Sequence, residues 1–142
     1  MSRKNTVKLT LYINKMRHLH QLTRQQFLNK IYNYKQHPHE FVYCGELPGV
    51  VIISSTDNRF CVELEPAFEI MAKKHKSHYN IYYVDTIAEP EIITALKLNP
   101  SGLPVIYLCP VKSSPTIISD TIDIRKITNM AGKLLAAVRK VD

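Results

Sequence analysis

The sequence predicts an α/β fold in which strands alternate with helices, and three observations carry that reading. The run Val50-Val51-Ile52-Ile53, entered through Pro48-Gly49, is apolar on both faces, as a central parallel strand is. Directly after it, Phe60, Leu64, Phe68, Met71 and His75 recur at helical spacing. Near the C-terminus Ile124, Ile127, Ala131, Leu134, Leu135 and Val138 form a second long stripe, followed by Arg139 and Lys140, where a helix end favours cations.

The remaining elements follow in order. Thr23 ahead of Phe27, Ile31 and Tyr32 predicts a short amphipathic helix with Thr23 as N-cap, ended before Pro38. After the central strand, Asn58 stands where its side chain can cap the orphan N–H groups of the next helix. Pro66 has no N–H to offer the carbonyl of Val62, four residues back, and predicts a kink. Ile81-Tyr82-Tyr83-Val84 reads as a strand, Glu89 to Leu98 as a helix and Pro104 to Cys109 as a third strand. Lys112-Ser113-Ser114-Pro115 turns the chain into Thr116-Ile117-Ile118-Ser119, giving the order α-β-α-β-α-β-β-α. Most of the tyrosines fall in these strands and helix faces and read as the edge of the core.

Size and composition bound what such a fold can be. The chain has 142 residues, 45% of them apolar, which fits one domain of the usual ~100–150 residues. No apolar run approaches the ~18 residues of a membrane span, and the charged start lacks the hydrophobic segment of a secretory signal. Three cysteines are too few and too odd for a disulfide framework and suit a reducing, cytoplasmic setting. The net charge of +7 is lopsided: residues 1–39 hold Arg3, Lys4, Lys8, Lys15, Arg17, Arg24, Lys30 and Lys35 without one Asp or Glu. Such a stretch can be a solubilising tail or an arm for nucleic acid or another acidic partner, since phosphate contacts are sequence-blind. It carries no nucleic-acid-binding motif, and an organelle transit peptide would be richer in Ser.

From about Leu22 to Val141 the chain resembles the thioredoxin family. A central strand leads into a helix that opens on a redox tetrad and carries a Pro five residues past its second Cys; Val50 to Ile53, Asn58-Arg59-Phe60-Cys61 and Pro66 match this. Val84-Asp85 matches the family's Val-Asp, and Gly102-Leu103-Pro104 its loop with a cis-proline. The leader Phe27 to Tyr34, with Pro38, Glu40, Phe41, Tyr43 and Gly45, looks like the opening of one bacterial subgroup. The resemblance implies a thioredoxin-like fold, a central mixed sheet flanked by helices on both faces, over residues 22–142, behind a basic extension of residues 1–21. Composition and terminal position lead us to expect residues 1–20 to be loosely packed.

The departures bear on function. The family's Cys-x-x-Cys attacks a substrate disulfide with its first thiolate and resolves the mixed disulfide with its second. Here Asn58 occupies the nucleophile position, where an amide caps a helix but cannot attack sulfur, and Cys61 occupies the resolving position. The buried Asp of the family's central strand maps to Ile52 and the Lys approaching it to Ile81, so a proton-handling pair has become two hydrophobes. Asp57 replaces the aromatic residue before the tetrad.

Other constellations are weaker. His18-x-His20 and His37-x-His39 lack Cys or carboxylate neighbours at zinc spacing, so neither metal nor cofactor is expected. His75 and His78 suit a helix end, and Cys44 and Cys109 read as ordinary buried residues. Three functions remain open: a peptide- or protein-binding module using Asn58, Arg59, Phe60, Leu103 and Pro104; a one-thiol thiol-disulfide oxidoreductase using Cys61 in cell redox homeostasis; and a scaffold whose basic N-terminus binds nucleic acid or an acidic partner.

Overall fold

The computed structural model describes residues 18–75, 79–119 and 122–141, with 134–141 as backbone only. Strand β1 (His20–Gln21) leads into helix α1 (Arg24–Lys30), β2 (Gly49–Ser54) into α2 (Arg59–His75), and β3 (Asn80–Asp85) into α3 (Glu91–Ala95). A 3-10 turn (Pro100–Gly102), β4 (Val105–Cys109), β5 (Thr116–Ile118) and α4 (Ile124–Val141) complete the chain. The strands form one mixed sheet in the order β1-β3-β2-β4-β5. Strands β1 and β2 run parallel to β3, whereas β4 is antiparallel to β2 and β5 to β4.

The two-faced apolarity of β2 is used as its sequence predicts. Val50 and Ile52 pack with Phe68 and Met71 of α2 and Ile127 and Ala131 of α4 on one face. Val51 and Ile53 pack with Phe27 of α1 and Ile92 of α3 on the other. The protein is therefore α/β, with helices covering both faces of the sheet. Thr23 caps α1 through the Gln26 N–H at 3.1 Å, and the Gln26 side chain returns a bond to the Thr23 N–H at 2.9 Å, a reciprocal capping box.

The structure departs from the sequence expectation in four places. First, the sheet begins earlier. The extension drawn through residue 21 ends in a strand: His20 and Gln21 pair with Tyr82 and Tyr83, Leu22 N–H donates to the Tyr83 carbonyl at 2.8 Å, and Leu19 is buried. A two-residue strand shows no alternation to read. The carboxylate of Glu69 on α2 secures it, accepting the backbone N–H groups of His18 at 2.5 Å and Leu19 at 3.2 Å. Residues 1–17, His78 and the side chains of Leu134, Leu135 and Val138 lie outside what is described.

Second, the helix expected over Glu89–Leu98 is confined to Glu91–Ala95, because Lys97 adopts φ 56° and Asn99 starts the 3-10 turn by capping Ser101 N–H at 3.1 Å. Third, Cys44 is exposed rather than buried; it lies in the loop between α1 and β2, its Sγ 3.4 Å from the Asn29 carbonyl. Cys109 is buried. Fourth, several tyrosines are buried and Tyr83 is fully interior. Tyr83 is buried because α2 supplies an acceptor for its hydroxyl, the Glu65 carboxylate at 2.9 Å.

Candidate functional site

The site is assembled where β2 and β3 end and β4 begins. Ile53 faces Val105 across the β2–β4 pair and Ser54 faces Asp85 across β2–β3, so the turn after β2 meets the loops around Asp85 and Pro104. Asp85, buried at the end of β3, binds that turn to its own loop. Its carboxylate accepts the Thr56 N–H at 3.2 Å, the Thr56 hydroxyl at 3.1 Å and the Ile87 N–H at 3.1 Å. The turn closes on itself through Ser55, whose hydroxyl accepts the Asp57 N–H at 3.2 Å and whose carbonyl accepts the Asn58 N–H, also at 3.2 Å.

Asn58 then starts α2. Its side-chain oxygen accepts the Cys61 N–H at 3.1 Å and its carbonyl accepts the Val62 N–H at 3.0 Å, so the amide serves as the helix cap its residue type favours. The next two residues face solvent: Arg59 pairs with Glu63 one turn on at 3.1 Å, and Phe60 is 51% exposed. Cys61 is 0% exposed. The Leu103–Pro104 peptide bond is cis, and both residues are buried. Of the residues expected to bind peptide, then, Arg59 and Phe60 present side chains and Leu103 can offer only its backbone.

No second thiol stands near the tetrad. Cys109 faces Gly49, at the end of β2 away from Asn58, four steps along β4 or about 13 Å from Val105. Burial pushes the Cys109 thiol up to about 12. The Cys44 thiol is also raised, chiefly by partial burial. All three cysteines are free.

Sequence reasoning missed the Glu65–Tyr83 pair. Glu65 stands one turn beyond Cys61 on α2, and Tyr83 lies opposite Ile52 in the β2–β3 register. Ile52 and Ile81, which the family resemblance sets at the proton-handling positions, are buried apolar residues, and the carboxylate of Glu65 is buried on the helix packed over them. The signal was an acidic residue set between Leu64 and Phe68 on the helix's inward side. Among the described residues no three His, Cys, Asp or Glu side chains gather as a metal site, and no helix is long and apolar enough to cross a membrane.

The strand order and the capped helix beside the Pro104 turn define a protein of the thioredoxin fold. Solved structures agree: the Trx4 domain of ERdj5 superposes with a TM-score of 0.61 at 22% identity, over 83% of this chain and 96% of that domain. Chloroplastic thioredoxin z matches at 0.62 and 15% identity over 83% of this chain and 95% of its own. The J-Trx1 fragment of ERdj5 matches at 0.66 and 14% identity over 87% of this chain, which spans 53% of that fragment. No family model matches the sequence. The thioredoxin of Borreliella burgdorferi, however, is 30% identical over 96 residues, 68% of this chain and 80% of that protein. The chain belongs to the thioredoxin family.

Proposed function

We propose that this member of the family is a binding module for a protein or extended peptide and not a dithiol reductase. The observation that supports this reading is the bond from the Asn58 side chain to the Cys61 N–H, which puts a helix cap where the attacking thiolate would stand. The partner would lie across Arg59 and Phe60 and along the backbone of Leu103 beside Pro104, gaining main-chain hydrogen bonds as other extended ligands do. Free thiols suit a cytoplasmic setting. Reductase-coupled insulin reduction by the wild-type protein tests the reading: rates comparable to those of an ordinary thioredoxin would reject it. Capture of partners with wild-type and Cys61→Ser protein should give the same set.

One observation favours the alternative of a one-thiol oxidoreductase: the buried carboxylate of Glu65, one turn from Cys61, with Tyr83 as its donor. In that case Cys61 would pass its proton to Glu65, attack a low-molecular-weight disulfide as the thiolate and release the other sulfur as a thiolate. An external thiol would then resolve the mixed disulfide. The full burial of Cys61 counts against this route.

A further inference from the structure

The loop ahead of β2 and the turn between β4 and β5 line a groove of about 440 Å³, with Glu40 to Tyr43 on one wall and Lys112 to Ser114 on the other. Strand β4 ends at Cys109, opposite Gly49, so the turn that follows stands at the end of the sheet away from Asn58. The first wall is held from behind by aromatic rings. Phe41 stacks on Tyr107 of β4 with centroids 5.2 Å apart and packs against Tyr32 at 4.6 Å, and Val42 beside it is exposed. Ile117, opposite Tyr107 in the β4–β5 register, is exposed as well.

Neither wall uses its main chain to build the fold. Among the described residues, no backbone N–H or carbonyl of Glu40 to Tyr43 or of Val111 to Ser114 is hydrogen-bonded, and the hydroxyls of Ser113 and Ser114 are also unpaired. Water serves exposed main-chain groups on any loop. It does not account for Lys112, which holds φ 59°, a backbone conformation that Gly or Asn takes more readily than lysine. Nor does it account for an apolar wall of Phe41 and Val42 left facing a turn that gathers successive N–H groups, two hydroxyls and an ammonium. Such a turn is suited to an anion.

We propose that this groove receives the carboxyl-terminal end of a partner polypeptide that closes on an apolar residue. The terminal carboxylate meets the Lys112–Ser114 turn, where the ammonium complements its charge and the N–H and hydroxyl groups donate to it. The last side chain lies against Phe41 and Val42. The main chain ahead of it runs beside Glu40 to Tyr43, whose open N–H and carbonyl groups pair with it as with an added strand. Glu40 and Lys112 stand on opposite walls and carry opposite charge, which sets the direction: the carboxylate goes to Lys112 and away from Glu40. The groove lies apart from Asn58 and does not depend on what binds there.

Fluorescence anisotropy of the full-length protein with a labelled peptide of about ten residues closing on Thr-Val-Leu, in about 20 mM NaCl, tests the proposal. The free acid should bind at least about tenfold tighter than the same peptide as its C-terminal amide, because the charge-assisted bonds go with the charge. Lys112→Asn, which suits the left-handed backbone and removes the ammonium, should shrink that ratio to about threefold or less. Val42→Ser should weaken both peptides about fivefold and leave their ratio unchanged. Equal binding of acid and amide, a ratio unmoved by Lys112→Asn, affinities unmoved by Val42→Ser, or no binding at about 1 mM peptide would each overturn it. So would N-acetyl-leucine binding as tightly as the peptide, which would assign the groove to a small organic acid instead of a chain end.

Discussion

The side-chain oxygen of Asn58 sits 3.1 Å from the backbone nitrogen of Cys61, so the residue at the family's attacking position closes the first turn of α2 onto the residue at its resolving position. That side chain is a helix cap. Its contribution to stability is measurable, since removing an N-cap of this type costs about 1 kcal/mol. Asn58→Ala should lower the unfolding free energy by that amount in urea, and Asn58→Asp or Asn58→Ser should hold it within a few tenths of the wild type.

A thiol placed at position 58 should not by itself give a fast dithiol reductase. Asn58→Cys recreates a pair of cysteines one turn apart, yet Ile52 and Ile81 supply no group to take the Cys61 proton when the mixed disulfide is resolved. We expect insulin reduction by Asn58→Cys to stay at least about tenfold below that of an ordinary thioredoxin, each tenfold being about 1.4 kcal/mol of barrier. Asn58→Cys with Ile52→Asp should turn over faster if the domain tolerates a buried carboxylate. If Asn58→Cys alone reaches ordinary rates, and Glu65→Gln abolishes them, the proton acceptor is on the helix and the one-thiol reading gains.

The Glu65–Tyr83 bond should couple the two residues energetically. Truncating one partner of a buried hydrogen bond costs about 1–3 kcal/mol, whereas replacing both with apolar groups is milder. Tyr83→Phe and Glu65→Leu, singly and together, therefore form a double-mutant cycle. Its expected interaction is about 1 kcal/mol or more, and strict additivity would show that the 2.9 Å contact contributes nothing.

The three thiols should separate in a titration with an aromatic disulfide at pH 8. Cys44 is exposed and reacts first, while Cys61 and Cys109 are buried and wait for unfolding. One equivalent in the native protein and three in denaturant is the expected count. A second fast equivalent would mean that Cys61 is reached from solvent and would favour the one-thiol reading.

Two of the buried groups that titrate at high pH bear on alkaline stability. Burial lifts both the Cys109 thiol and the Tyr107 hydroxyl to about 12, above the roughly 8.5 and 10 they hold when unfolded. Above those unfolded values the denatured chain loses protons that the native one keeps, so stability falls as pH rises. The contribution of both groups is whole below about pH 8.5 and lost progressively toward pH 12. Cys109→Ala should flatten the early part of that loss, between about pH 8.5 and 10, in denaturation midpoints measured at stepped pH.

What the sequence made legible was whatever repeats or punctuates. The apolar run of β2, the Thr23 box and the Asn58 cap are local patterns, and the structure places each as expected, whereas of the α2 stripe Phe68 and Met71 are buried and Phe60 faces solvent. Features that depend on distant chain were hidden. Strand β1 is two residues held by Glu69 on a helix far along the sequence, and the interior place of Tyr83 depends on Glu65. The exposure of Cys44 depends on a loop path between α1 and β2 that no periodicity describes. At the site, residue types named the tetrad positions, but only burial separates Arg59 and Phe60, which face solvent, from Leu103 and Pro104, which do not.

Parallel pairing of His20 and Gln21 with Tyr82 and Tyr83 has a consequence for synthesis on the ribosome. The first strand of the sheet is translated long before its partner, and its other anchor, Glu69, also comes late. Until residue 83 clears the exit tunnel, His20 and Gln21 have no strand to pair with. This two-residue strand is thus seated only after β2, α2 and β3 exist, which makes it one of the later pieces to be locked in place.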